Sequence, residues 1–404
     1  MKLVKMSLVA AMVMGASAFA IDNVKVSGDA KLFYGTDDQG TASLMDQGSS
    51  YADTALRLGV TGDLTKGVSF GVTGIAVSTL GLENNLVANT WTAGHDGTAV
   101  GDNAWMSEAW LAATVGKTTA KIGRMQLDTP LAFSETWSIA ANTFEAAVLI
   151  NQDLPDTTLV GAWVGNSNGL DAAHTTTTGA ARDGIMRVDA QFGTFALGGA
   201  YAAAVVNNSF KPLVAQAWYY NVVDVADAYW LQADWDCQLV KNVKVGAQFA
   251  DMSPKGTGIA VARSDKDSKA YAVKVAYTGV KNLNVSAAYS DRNKEGGLKV
   301  QNVAGSGQSK LYTESFWSYG YVGAADATSW NLTAEYDAQN IAKLGAYYTN
   351  VNNGAAASAG DLAEVALTAS KSFGPLDATL AYINTKANAA SSYNSVQAYL
   401  TLNF

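Results

Sequence analysis

Residues able to do chemistry fall into two groups here: a scattered set in polar connections and a crowded set at 121–157 (KIGRMQLDTPLAFSETWSIAANTFEAAVLINQDLPDT). The scattered set assembles no reaction centre. His95 and His174 are the only histidines, each in a long polar connection without a Ser or carboxylate beside it on a strand. Nucleophilic catalysis needs a base within reach of the nucleophile and a third group to orient that base. No CxxC pair, phosphate-cradling glycine loop or HExxH helix is present, and Asp96 and Asp102 lack the spacing of a calcium loop. The two histidines read as solvated loop residues, with no enzyme, metal or cofactor implied. The single cysteine, Cys237, excludes an intrachain disulfide and reads as a small apolar residue on a strand face.

The chemistry of the crowded set is electrostatic. A strand carrying Arg124 leads into 127–142, a stretch too apolar and aromatic for a loop in open water. Folded into a lumen, its Leu131, Phe133 and Trp137 would find wall contacts while Asp128 and Glu135 reached an aqueous gap opposite Arg124. Fixed charges of both signs in a narrow gap focus the field and set ion preference. Arg57 and Arg187 extend the expected basic wall and Glu145 the acidic side, giving a mild preference for cations. The competing placement for 127–142 is an outer loop packed on a partner subunit.

The elements that must position these residues alternate with period two. Over 52–62, Leu56, Leu58 and Val60 share one face and Asp53, Arg57 and Thr61 the other. Over 184–193, Met186, Val188, Ala190 and Phe192 oppose Arg187, Asp189 and Gln191. The polar face carries full charges at mid-strand (Arg57, Arg187, Lys244, Lys274, Glu335), as a wall facing water inside a wide barrel would. Connections are asymmetric. Short ones (63–67, 116–118, 153–156, 241–242, 280–282, 374–377) take turns with long ones (81–103, 167–183, 252–267, 292–327, 351–360). Short periplasmic turns and long outer loops are the build of a transmembrane antiparallel β-barrel. Aromatic residues near strand ends, such as Trp105, Trp163, Trp230 and Trp235, fit interfacial girdles. A first count gives about nineteen strands, whereas single-chain bacterial barrels have an even number. Only one inward strand fits between 158–165 and 213–222. We read 195–206 as that strand, with 185–192 extending it or folding back in the loop. The count becomes about eighteen, a size that leaves an aqueous channel.

The chain's start sets its route. Lys2 and Lys5 precede an apolar run ending in Ala18-Phe19-Ala20, the pattern of a cleavable signal peptide over 1–20. The remaining 21–404 is one barrel of 384 residues with 25 basic and 35 acidic side chains, net −10. That acidity argues against nucleic acid as a partner. No later stretch is apolar for long enough to cross a membrane as a helix.

The residues also resemble a known family. Gly123-Arg124, 127–132 (LDTPLA), 142–145 (NTFE), Asp153-Leu154-Pro155, 309–314 (SKLYTE), the MKLVKMSLVAA start and the terminal Phe404 look like the campylobacter-type major outer-membrane porins, related to OprD-like porins. The resemblance implies an eighteen-stranded porin of the Gram-negative outer membrane, usually trimeric, set among lipid and lipopolysaccharide. It implies passive diffusion of ions and small hydrophilic solutes past a third outer loop folded into the lumen. Leu400, Leu402 and Phe404 resemble the terminal signal read by the barrel-assembly machinery. A second reading is a surface adhesin or structural barrel acting through its long loops, chiefly 81–103 and 292–327.

Overall fold

The computed structural model describes residues 21–404 except 97–99, 171–183, 195–197, 256–263, 355–359 and 389. The expected signal peptide and His174 lie outside the described residues. The wall begins with β1 (Asp22–Asp37), β2 (Tyr51–Thr65), β3 (Val68–Ser78), β4 (Asn103–Val115), β5 (Thr118–Met125) and β6 (Phe144–Asn151). It continues through β7 (Thr157–Ser167), β8 (Ala200–Asn207), β9 (Leu213–Val222), β10 (Ala226–Asp236), β11 (Val243–Pro254) and β12 (Ser268–Tyr277). It ends with β13 (Leu283–Arg292), β14 (Ala327–Asp337), β15 (Lys343–Asn353), β16 (Leu362–Phe373), β17 (Leu376–Ala387) and β18 (Tyr393–Asn403). Each strand pairs antiparallel with its neighbours, and β1 pairs with β18, so eighteen strands close into a barrel.

Closure follows from the solvent. Hydrocarbon offers backbone groups no hydrogen bonds, so every strand needs two neighbours. At the seam Phe404 and Gly28 exchange backbone hydrogen bonds of 2.9 and 3.0 Å. A Cβ on Gly28 would stand 2.3 Å from the Arg57 carbonyl oxygen and 2.7 Å from the Phe404 ring, so the seam needs glycine. Leu56, Ile122, Leu149, Leu231, Val273, Leu332, Leu400 and Leu402 stand exposed on the outer wall, where lipid covers them. Exposed Trp163, Tyr201, Tyr219, Tyr229 and Trp330 gird the long-loop end. Tyr277, Tyr336 and Phe373 gird the short-turn end. Trp230, expected in a girdle, is instead fully buried on the inner face, and Trp105 packs against the inner aromatic core.

The short turns carry their own signature. Gly67, Gly116 and Gly374, with Asp156, Asn242 and Asn282, adopt positive φ, the residue types that tolerate it. All eight connections at this end are brief, the longest being 237–242. At the other end, 79–102, 126–143, 168–199 and 293–326 are long, whereas 223–225 and 388–392 are brief.

Of the two courses left open for 185–192, the structure takes the second, folding back within the loop. Residues 185–192 form no barrel strand: Met186 makes an isolated bridge to Gly169, a 3-10 turn with Asp189 at φ 60° follows, and only Gly193–Thr194 pairs briefly with the end of β7. The alternation there reflects burial within a folded loop, where Ile185 and Met186 enter the aromatic core. The inward strand between β7 and β9 is β8, the C-terminal part of the stretch read as 195–206.

Candidate functional site: the constriction inside the barrel

The third outer loop, 126–143, turns inward immediately after β5. An Asp128–Phe133 bridge and the Thr129 hydroxyl, donating to Ala132 O at 2.8 Å, fold its tip into a tight turn around Pro130. Leu131 then buries against the far wall in a cluster with Trp218, Tyr220, Ala228 and Met252. Asn142 holds the returning arm, accepting from the Glu135 N–H at 2.7 Å and donating to Ala304 O at 2.5 Å.

The seventh loop, 293–326, enters the lumen as well and docks on the third. Glu135 is the joint. One carboxylate oxygen accepts from Asn302 Nδ2 and from the Ser306 N–H, both at 2.9 Å. The other accepts from the Ser306 hydroxyl at 2.5 Å and the Trp137 indole at 3.1 Å. Only 1% of Glu135 is exposed, and that burial raises its carboxyl above the ordinary range. Glu364 on β16 holds the far arm, taking the N–H groups of Trp317 and Ser318 at 2.9 Å each. Glu314 turns back on its own loop to the N–H groups of Ser309 and Ser315. Burial pushes it up to about 8.

Aromatic rings complete the dock. Trp91 from the second loop stacks on Phe33 of β1 at 3.8 Å between ring centroids and on Trp317 at 5.1 Å. Trp137 meets both tryptophans edge-on, and Tyr319 lies 5.3 Å away. Such pairs contribute roughly 0.5–1.5 kcal/mol each beyond their buried area. Three loops and the wall are thereby joined into one body.

The structure does not gather the expected site residues into one place. Arg57 faces the lumen, half exposed, and donates from Nε to Asp29 Oδ2 at 2.7 Å. Asp128 reaches open space and pairs with Lys310 of the seventh loop. Glu135 does not project into water, because loop 293–326 covers it. Arg124 and Glu145 pair with each other at 2.9 Å. They share a register face with the exposed Ile122 and Leu149, on the outside of the wall. Alternation carried through Gly123, at φ 126°, sets that direction. Arg187 lines nothing: it is buried within the fourth loop and donates to the carbonyls of Gly169 and Thr194. Leu400 and Leu402 lie on the lipid face, and Phe404 on the seam.

His95 also departs from expectation. It is 1% exposed, with Nε2 2.7 Å from Asp53 Oδ2 and Nδ1 2.6 Å from Gly101 O. Two acceptors on one imidazole favour the doubly protonated ring, and its pKa is raised by Asp53 against the opposing effect of burial.

Three clefts lie in series around Thr136 and Trp137. A first, of about 230 Å³, is lined by Lys31, Arg57, Ser107 and Gln126. Thr136 divides it from a second of about 240 Å³, which holds Asp128 and Lys310. Trp137 and Gln308 divide that one from a third of about 420 Å³, walled by the seventh loop and Asn331, Thr333 and Tyr347. Sequence reasoning missed Lys31, Lys310 and Gln308. The one signal for the latter two was the apolar and aromatic content of 309–321, of the same kind that drew attention to 127–142.

A closed eighteen-stranded barrel with an apolar outer wall, and with loops folded across its lumen to leave polar clefts, defines an outer-membrane channel. The chain belongs to the Gram-negative porin family, whose profile matches residues 7–401. It resides in the bacterial outer membrane and passes small solutes by diffusion. No curated protein sequence matches it. Among solved structures it is similar to Pseudomonas aeruginosa OccK8 (OprE), TM-score 0.73 at 17% identity over 95% of this chain and 98% of that one. It is also similar to Pseudomonas aeruginosa OccK3 (OpdO), TM-score 0.71 at 16% identity over 96% and 97%. Pseudomonas aeruginosa OccK9 (OpdG) gives 0.72 at 14% identity over 95% and 99%. At such identities the likeness is one of fold.

Proposed function

We propose a narrow, nearly charge-compensated, non-enzymatic diffusion channel for ions and small hydrophilic solutes, whose path runs through the three clefts around Thr136 and Trp137. The observation that carries this reading is the docking of loop 293–326 on loop 127–142 through Glu135, which divides the lumen into small spaces. The mild cation preference expected from the sequence rested on Asp128 and Glu135 opposing Arg124. That arrangement is replaced by neutral pairs, Asp128–Lys310 and Arg57–Asp29, with Glu135 withdrawn. Selectivity between small cations and anions should therefore be weak. Placement beside the campylobacter-type major porins belongs to this reading, since the 123–157 block that suggested it builds the inward loop. So does assembly of three copies, for which the outward Arg124–Glu145 pair offers a polar contact on an otherwise lipid-facing wall.

Planar-bilayer recording tests the reading. Small, uniform steps with a reversal potential close to zero in a salt gradient are expected. Absence of steps would mean a plugged barrel, and a strongly displaced reversal potential would contradict charge compensation.

A further inference from the structure

The third cleft differs in chemistry from the other two. Seven of its twelve lining residues are aromatic, among them Trp137, Tyr312, Trp317 and Tyr347. The rest are Gln308, Ser315, Asn331, Thr333 and Glu314. No lysine or arginine lines it. Lys310, nearest in sequence, is turned to Asp128 and lies over the Phe133 ring at 4.7 Å. Lys274 lies over the Tyr312 ring at 4.2 Å but is not among the lining residues, so an anion entering this space would lose its hydration with no basic side chain in the lining to replace it.

An organic cation fares little better. The one acid, Glu314, spends its carboxylate on the backbone N–H groups of Ser309 and Ser315, and it keeps its proton up to about pH 8. The neutral polar groups remain. The Gln308 side chain makes no hydrogen bond among the described residues and sits where the second and third clefts meet. Thr333 donates to Asn331 Oδ1 at 3.0 Å, which leaves its oxygen free to accept. Aromatic faces beside the unspent Gln308 amide and the Thr333 oxygen suit a solute with an apolar C–H face and a rim of hydroxyls. About 420 Å³ falls within the range of small-molecule sites.

We propose that this cleft is a transient binding subsite for uncharged polyhydroxylated rings, that is, mono- and disaccharides, with Gln308 as the polar selector. The inference rests on the cleft lying along the diffusion path proposed above. Binding here is weak by design of the site, since a diffusing solute must leave as readily as it enters.

The test uses the full-length barrel in a planar bilayer at pH 7, with glucose, maltose, choline chloride and sodium benzoate as probes. Maltose should interrupt the ion current in a saturable, concentration-dependent way, and glucose should do so more weakly. Choline and benzoate should not saturate. Gln308→Ala should raise the half-blocking maltose concentration about three- to tenfold, the loss of roughly one hydrogen bond. Thr333→Val should raise it less, and serves as the second variant should Gln308→Ala fail to assemble. Normal ion steps with only a linear, viscosity-like response to maltose would overturn the sugar site and leave the channel standing. Saturation by choline or benzoate without saturation by maltose would overturn it too. Absence of ion steps would overturn the channel reading itself.

Discussion

Glu135 accepts four hydrogen bonds in a space that admits almost no water, which makes it the joint on which the constriction depends. Removing one partner of such a set costs more than the set contributes, because each donor left buried and unpaired costs about 1–3 kcal/mol. Glu135→Ala should therefore free the seventh loop without unfolding the barrel. The expected outcome is larger single-channel steps and faster tryptic cleavage at Lys299 or Lys310, and unchanged steps would refute the role. Arg57 gives a contrasting prediction. Arg57→Gln leaves Asp29 unbalanced at the lumen wall, so the reversal potential should move toward cations. For a half-exposed pair the effect is about 1 kcal/mol or less, and it should fade above ~1 M salt, where the screening length is about 3 Å. Arg124→Gln should change nothing in the same measurement, because Arg124 stands on the other side of the wall. An equal shift from both variants would contradict the assigned faces.

At the scale of elements, the long loops are interior parts rather than surface displays. A Cβ on Gly305 would lie 1.9 Å from Glu135 Oε1, and one on Gly169 2.2 Å from Ala304 O. Ala93 is buried too. An epitope tag at Gly305 should therefore stay unlabelled on intact cells or block assembly, although its loop belongs to the outer end. The seventh loop should also respond to pH. Glu314 is raised from 4.5 to about 8 by burial, so the folded loop holds this proton more tightly than the free chain does. The stability linked to it is complete below about pH 4.5 and is lost as pH rises through 8. Repulsion from nearby Glu364 adds to the loss. Open-channel noise should grow between pH 7 and 9, and Glu314→Gln should abolish that growth. The strands, turns and inward third loop were legible because period-two patterns, glycine and asparagine turns and misplaced apolar residues are local signals. The pairing of Glu135 with Asn302 and Ser306 spans more than 160 residues and left no local trace. The outward turn of Arg124 was hidden for a related reason: face is counted from neighbouring strands, and a bulge at Thr73–Gly74 shifts that count.

For the whole molecule, the last step of folding is closure, and the sequence places that step at its two ends. Nine pairs from Asp29–Asn403 to Asp37–Ser395 join β1 to β18, and Phe404 extends the ladder to Gly28. An open β18 would leave both edges of an eighteen-stranded sheet unpaired, a state that hydrocarbon does not tolerate. The terminal ring serves this closure directly, since it fills the space that Gly28 leaves empty. Phe404→Asp would set a charge against the lipid-facing seam beside Leu402 and should leave unassembled or degraded chain in place of a heat-modifiable barrel. Gly28→Val tests the same contact from the other strand: it collides with the Arg57 carbonyl and the Phe404 ring while leaving the C-terminus intact. If Phe404 acts only as a recognition signal, Phe404→Asp should fail and Phe404→Ala should not improve Gly28→Val, whose clash with the Arg57 carbonyl remains. If the ring is also part of the seam, both should fail, and trimming the ring by Phe404→Ala should partly restore Gly28→Val. Normal heat-modifiability of Phe404→Asp would exclude both roles.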